Sequence, residues 1–160
     1  MRALVLAFLF ALTACDGPAD DREDVQTLDE DTENAHVHHA KRGGRLIEIG
    51  AHMATIEIVH DREAGTLTAF IMDGHASNPV RLDASAIPVT LTVAGEDLLL
   101  DLKPVASTLT GETIGDTSQF EATAEVLKRI TKFRGSIGKV SIYDEDFTDV
   151  AFTYAAKSAD

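Results

Sequence analysis

Histidine is the residue type in this chain best suited to chemistry, and three of the six histidines fall within four residues. His36, His38 and His39 follow closely on a run of acidic side chains. Neutral imidazole is a good ligand for copper, zinc and nickel, and nearby carboxylates would draw cations towards it. The segment therefore predicts a weak, poorly selective site for one of these ions. The alternative is a polar, solvated linker.

Two further segments alternate apolar and polar residues, as half-buried strands do. They extend from His52 to His60 and from Thr66 to Asp73, and the residues between them, 62–65, end in glycine. This pattern predicts a β-hairpin. If Asp61 pairs with Thr66, the numbers of opposed residues sum to 127 along the whole hairpin.

In that register His52 lies directly opposite His75, with Cβ atoms about 5 Å apart. Both imidazoles would then reach one ion, and Asp73, diagonal to His52, is the candidate third ligand. A slip of one residue would place the two histidines on opposite faces. The alternative is that they are two surface histidines at strand ends. His60, at the far end, is expected to cap the edge of the core or the loop.

No recognisable spacing sets a nucleophile beside a base. The chain has no G-x-S-x-G, no H-E-x-x-H and no phosphate-binding glycine loop. Four acidic residues, Asp144, Glu145, Asp146 and Asp149, lack the pattern of a calcium loop and predict a solvated turn. We therefore expect a protein that is not an enzyme.

The first fifteen residues have the pattern of an export signal. Arg2 is followed by ten apolar residues, Ala3 to Leu12, which as a helix rise about 15 Å, roughly half of a bilayer's hydrocarbon core. Leu12-Thr13-Ala14-Cys15 then resembles the bacterial lipobox, which implies a leader of residues 1–14 and acylation, as by palmitate, of Cys15. The alternative is a plain signal peptide with a stray cysteine. Cys15 is the only cysteine, so it forms no internal disulfide.

The length and composition limit the number of domains and the kinds of partner. The 160 residues suffice for one domain, and a net charge of −13 disfavours nucleic acid and anionic lipid as direct partners. Residues 16–44 contain nine acidic and three basic side chains with almost no large apolar ones. We expect residues 15–44 to form a disordered tether and residues 156–160 a disordered tail, on either side of a β domain at 45–155.

Further strand patterns lie in the second half. Val89, Leu91 and Val93 alternate with threonines, and Gly95-Glu96 predicts a type II′ turn that would place Val93 opposite Leu98. Val140 and Ile142 are expected to pair, across an acidic turn, with a final strand at residues 150–154.

One segment predicts a helix. Ser118 and Glu121 match a capping box, apolar residues follow at helical spacing, and basic residues gather at the end. We expect a helix near 120–131. Seven or so strands with this helix predict a mostly β fold, an antiparallel β-sandwich of immunoglobulin-like type.

The residues also carry a resemblance to known proteins. The stretch from Arg42 to Gly50 (RGGRLIEIG), followed by the strands before Asp61 and Asp73, resembles small bacterial lipoproteins in which a histidine-rich segment leads into an HGG-x-L-x-E-x-G stretch and a β domain. It is also similar to the periplasmic start of heavy-metal efflux adaptors of the membrane-fusion type. The resemblance implies an envelope β-sandwich associated with metal handling. This chain departs from it at Arg42, where those relatives often have histidine.

Three hypotheses follow. The first is a lipid-anchored protein on the extracytoplasmic side of a bacterial membrane that binds or buffers copper, zinc or nickel, with ligands His36, His38, His39, His52, His75 and Asp73. The second is a non-catalytic structural or interaction module with an envelope protein as partner. The third, a hydrolase, would require a buried polar cluster that the sequence does not indicate.

Overall fold

The structure, a computed structural model, describes residues 38–156. The predicted leader, Cys15, His36, most of the predicted tether and the last four residues lie outside this range. The described residues form ten β-strands and one short 3-10 helix, Glu125–Lys128. The strands are β1 (Arg45–Ile49), β2 (Ala54–Asp61), β3 (Thr66–Asp73), β4 (Ile87–Val93), β5 (Glu96–Pro104), β6 (Gln119–Thr123), β7 (Lys132–Ile137), β8 (Val140–Ile142), β9 (Glu145–Phe147) and β10 (Val150–Ala155).

Eight strands form one antiparallel sheet in the order β1-β2-β3-β6-β5-β4-β7-β10, and β8 and β9 form a separate hairpin. The two edge strands, β1 and β10, lie close together without pairing in the described structure, so the sheet is nearly barrel-shaped. The prediction of a mostly β, antiparallel fold is confirmed. The immunoglobulin-like sandwich is not confirmed.

The core lies on the concave face of this sheet. Alternate residues of each strand point inward, as the period of two requires. Removal of these side chains from water is the main favourable contribution to folding. The largest fully buried side chains are Ile49, Ile56, Ile58, Leu67, Ile71, Ile87, Leu91, Leu102, Phe120, Leu127, Ile137 and Ile142.

The predicted register of the β2–β3 hairpin is confirmed. Asp61 pairs with Thr66 and Ala54 with Asp73, so opposed numbers sum to 127. The loop supplies the reason: the Asp61 carboxylate accepts hydrogen bonds from the backbone N–H groups of Glu63 and Ala64, and Gly65 closes the turn with a positive φ of 72°.

The β4–β5 hairpin forms, but the predicted register is wrong by two residues. Val93 pairs with Glu96, and Leu98 lies opposite Leu91. The turn residues are Ala94 and Gly95, both with positive φ (52° and 91°), the backbone of a type I′ turn. A shift of two residues keeps every side chain on its predicted face.

The predicted helix at 120–131 is wrong. Residues 119–123 are strand β6, and only Glu125–Lys128 turn, as a 3-10 helix without a side-chain cap. The partner predicted for the last strand is also wrong. Val140 pairs with Phe147, and β10 pairs with β7, whose alternating pattern begins at Lys132.

Candidate metal centre

His38 and His75 form the closest approach of two histidines in the described structure. Their ring centroids are 5.9 Å apart and the ring planes are nearly perpendicular, at 86°. His38 lies just before the domain, half-buried, and His75 lies exposed in the turn that follows β3. Each belongs to a different predicted ligand group, and the fold brings these two members of the groups together.

Two imidazoles in this arrangement can hold one ion. A ligating imidazole nitrogen lies about 2 Å from the metal, so two rings on one tetrahedral ion have centroids about 5 Å apart. The His38 and His75 rings need to approach by only about 1 Å, which rotation of the exposed His75 side chain supplies. His39 is exposed beside them. Two of the predicted ligands therefore lie close enough to share an ion, and any further ligands would come from neighbours or water.

Asp73 shapes the turn that carries His75. One carboxylate oxygen accepts a hydrogen bond from the backbone N–H of Ser77 at 2.7 Å, and the other accepts one from Asn78 Nδ2 at 2.6 Å. The Ser77 hydrogen bond lowers the pKa of Asp73 most; burial opposes it, and the Asn78 bonds and the charge of His75 lower the pKa further. The carboxylate therefore stays ionised and anchors the turn.

His52 has a different partner. Its backbone N–H donates to Glu48 Oε1 at 3.1 Å, and its Nδ1 lies 3.4 Å from the same oxygen. Its φ is 58°, in the left-handed region, and its side chain is 70% exposed. The β2–β3 ladder ends at Ala54 and Asp73, before the histidines are reached. Among residues 38–156 no group of three or more His, Cys, Asp or Glu side chains is arranged to hold a metal ion.

The residues before β1 are bound to the outer face of β2 and β3. Glu57 Oε1 accepts the backbone N–H groups of Arg42 at 2.7 Å and Gly44 at 3.0 Å, and Glu57 Oε2 lies 3.4 Å from Arg42 Nη1. The Arg42 guanidinium also stacks 3.9 Å from the centroid of the Phe70 ring. Lys41 Nζ donates to the Ser77 carbonyl at 2.9 Å. These contacts cover Glu57, whose exposure is 0%.

Only glycine fits at position 44. A Cβ there would lie 2.3 Å from the carbonyl oxygen of Ile58 on β2. Gly43 and Gly44 lie at the end of the predicted tether, and no pattern in the sequence singles out Glu57. The burial of Glu57 could not be recognised from the sequence, because a glutamate at an outward position of a strand is usually solvated.

His60 belongs to the core and not to this site. Its Nε2 lies 2.8 Å from the Leu127 carbonyl, and its ring packs edge-on against Phe133 and Tyr154. Because a carbonyl only accepts, Nε2 carries the proton. Nδ1 is buried without a hydrogen-bond partner in the described structure. Of the two expectations for His60, the edge of the core or the loop, its burial against Phe133 and Tyr154 favours the core.

The acidic residues at 144–149 are exposed, as expected, but Glu145 and Asp146 belong to strand β9 and not to a turn. Asp146 pairs with Lys139 at 2.7 Å and accepts a hydrogen bond from Ser141. These two contacts, with that of Lys139 the larger, lower the pKa of Asp146. In the part of the chain that the structure describes, no helix has the length and apolar character needed to cross a bilayer.

No protein family, curated protein or solved structure matches the chain at a significant level. The resemblance to histidine-rich envelope lipoproteins therefore stays a prediction from the residues quoted above.

Proposed function

We propose that this chain is a lipid-anchored protein of the bacterial cell envelope whose β domain binds copper, zinc or nickel through His38 and His75. The observation that carries the proposal is the contact between these two rings, 5.9 Å apart, one from the histidine-rich segment and one from the domain. His39 and His36 are the candidate additional ligands. His52, which contacts Glu48, is a candidate only if its side chain turns away from that carboxylate.

The proposed role is binding or buffering of the ion and not catalysis. Two protein ligands would leave coordination positions for water, which favours a site that exchanges its ion with the surroundings. A net charge of −13 attracts cations to the whole molecule and disfavours nucleic acid.

The proposed anchor is an acylated Cys15, which would hold the domain on the extracytoplasmic side of the membrane. Replacement Cys15→Ser should move the protein from the membrane fraction to the soluble fraction and remove the acyl mass seen by mass spectrometry. A wild-type protein found in the cytosol with a free thiol at Cys15 would contradict the anchor.

A non-catalytic interaction module is the second candidate function. The connection between β5 and β6 exposes two large apolar side chains, Leu109 at 98% and Ile114 at 65%. Exposed apolar side chains grouped in one loop favour contact with a partner, here an envelope protein. This candidate predicts a melting temperature that does not respond to metal.

As the finer fold class we propose a sandwich-like arrangement of two four-strand halves. Pairing between β5 and β6 is limited to two positions, Lys103 with Glu121 and Pro104 with Phe120. The halves β1-β2-β3-β6 and β5-β4-β7-β10 are thus joined through a short ladder, which supports face-to-face packing. The immunoglobulin-like topology stays a prediction.

The deciding experiment is a copper(II), zinc and nickel titration of the full-length protein in detergent. We expect saturable binding of at least one ion, with a rise in melting temperature, because a ligand that prefers the native state stabilises it. His38→Ala and His75→Ala should each weaken binding at least about tenfold. His52→Ala tests the conditional ligand and should leave binding unchanged while His52 stays on Glu48. Asp101→Ala, at an exposed site on β5, is the matched control and should bind as the wild type does. Melting temperatures unmoved by all three ions would contradict the metal function.

A further inference from the structure

We infer that Glu57 is the positioning residue of the candidate metal centre, an inference that rests on the proposed function. Glu57 touches neither histidine of the pair. It acts on the backbone of residues 42–44, and through that backbone it sets where His38 lies relative to His75.

The contacts of Glu57 are unusual for an outward position of a strand. Its neighbours Ile56 and Ile58 point into the core, so Glu57 points to the outer face of β2, yet none of it is exposed. A buried carboxylate requires hydrogen-bond donors. Its donors in the structure come from Arg42 and Gly44. The Glu57 carboxylate therefore receives its donors from residues 42–44, and the N–H groups of Arg42 and Gly44 find their acceptor in Glu57.

The chain geometry connects this contact to the histidines. His38 is four residues before Arg42, so the two Cα atoms are at most about 14 Å apart. While Arg42 is fixed on Glu57 and Phe70, His38 stays within a small volume that includes His75. A ligand held in this way has a high effective concentration at the second ligand, which raises metal affinity.

A second contact holds the same segment to the turn that carries His75. Lys41 Nζ donates to the carbonyl of Ser77, two residues after His75. The amide of Ser77 is in turn held by Asp73. The segment and the turn thus share one hydrogen-bonded network, with Glu57 at its buried end.

The test uses copper(II) affinity of the full-length protein in detergent, measured by competition with a chelator. Glu57→Leu removes every acceptor and should weaken binding about tenfold, the lower range for partners outside the ligand shell. Glu57→Gln keeps the Oε1 acceptor that both backbone donors use and should restore most of the affinity. Glu96→Gln, at an exposed site on β5, is the matched control and should bind as the wild type does.

Two additions keep the test decisive. Gly44→Ala displaces residues 42–44 by a clash with the Ile58 carbonyl and changes no residue of β2. It should therefore show the same loss of copper affinity as Glu57→Leu, even if Glu57→Leu folds poorly. Hydrogen exchange at the Arg42 and Gly44 amides gives a readout that needs no metal, and exchange should be faster in both variants than in the wild type.

The outcomes separate the two claims. Wild-type affinity in both Glu57→Leu and Gly44→Ala overturns the positioning role and leaves the proposed function standing. A wild-type protein that binds no copper, zinc or nickel overturns the proposed function. If the wild type binds none of these ions, amide exchange still tests the contacts of Glu57. Unchanged exchange at Arg42 and Gly44 in Glu57→Leu would then overturn the claim that Glu57 holds residues 42–44. Faster exchange would uphold that claim alone.

Discussion

Ser118 donates two hydrogen bonds to Glu112, one from its backbone N–H at 3.0 Å and one from its hydroxyl. The same carboxylate accepts the Thr110 hydroxyl at 2.8 Å, and Arg81 Nε lies 3.8 Å away. Glu112 and Ser118 are both buried. This pair fixes the long connection between β5 and β6 onto the domain.

Removal of the Glu112 carboxylate should destabilise the fold. Glu112→Ala leaves the Ser118 amide and hydroxyl without their acceptor in a buried place, which costs about 1–3 kcal/mol in the free energy of unfolding. The measurement is urea unfolding followed by circular dichroism. Asp116→Ala is the control, because it breaks an exposed contact with Arg81 and should cost less than about 1 kcal/mol. Equal losses in the two variants would contradict the structural role of Glu112.

The same carboxylate should make stability depend on pH. Burial raises the pKa of Glu112, but the hydrogen bonds from Ser118 and Thr110 and the charge of Arg81 outweigh it and hold the pKa below the ordinary value of 4.5. A lowered folded pKa stabilises the protein above the unfolded value, and this stabilisation is lost as the pH falls through the folded pKa. The stability difference between wild type and Glu112→Gln should therefore shrink below about pH 4.5. A difference that stays constant down to pH 3 would contradict this.

The predicted helix failed for a reason that Ser118 and Glu121 illustrate. A capping box requires each side chain to bond the other's backbone. In the fold Ser118 bonds Glu112, and Glu121 accepts a hydrogen bond from Thr68 across the β3–β6 pair. Glu112 lies six residues before Ser118 and Thr68 lies 53 residues before Glu121, so neither contact belongs to the local helix pattern that the same residues also satisfy. Packing against β3 decided between the two structures.

Local turn chemistry explains what the sequence predicts well. The β2–β3 register followed from Asp61 and Gly65, which act within their own loop. The β4–β5 register was two residues off because the turn is centred on Ala94 and Gly95, both with positive φ, and not on Gly95 and Glu96 as the predicted type II′ turn required. A non-glycine residue in that conformation gives little signal in a sequence.

The candidate site also has a part that the sequence predicts and a part that it does not. The histidines were recognisable by residue type, but the contact of His38 with His75 depends on how residues 38–44 lie on the sheet. That placement depends on Glu57, which is chemically indistinguishable in the sequence from an exposed strand glutamate. Hydrogen bonds over 13 and 15 residues leave no local pattern.

Asp73 should influence the candidate site without being a ligand. Asp73→Ala removes both carboxylate hydrogen bonds of the turn, but the backbone bonds between Asp73 and Asn78 and between Ala76 and Asp73 remain. We expect copper affinity to fall less than in His75→Ala, by about threefold compared with at least about tenfold. Asp101→Ala, at an exposed site on β5, is the control and should have no effect. A loss as large as that of His75→Ala would make Asp73 a ligand.

His60 should be a residue of the core with a proton on Nε2, the nitrogen that faces the Leu127 carbonyl. Long-range proton–nitrogen correlation NMR at neutral pH should show Nε2 protonated and Nδ1 bare, because Nε2 faces the Leu127 carbonyl. His60→Ala should lower the free energy of unfolding by about 3 kcal/mol, from the cavity between Phe133 and Tyr154 and from the unsatisfied carbonyl.

The matched control for His60 is His52→Ala, since the His52 side chain is 70% exposed and its loss should change stability by less than about 0.5 kcal/mol. Copper affinity should stay at the wild-type value in His60→Ala if the variant is folded, because the buried ring belongs to the core and not to the His38–His75 pair. A proton found on Nδ1, or a copper affinity that falls with His60 as it falls with His75, would contradict the separation of core histidine from candidate ligand.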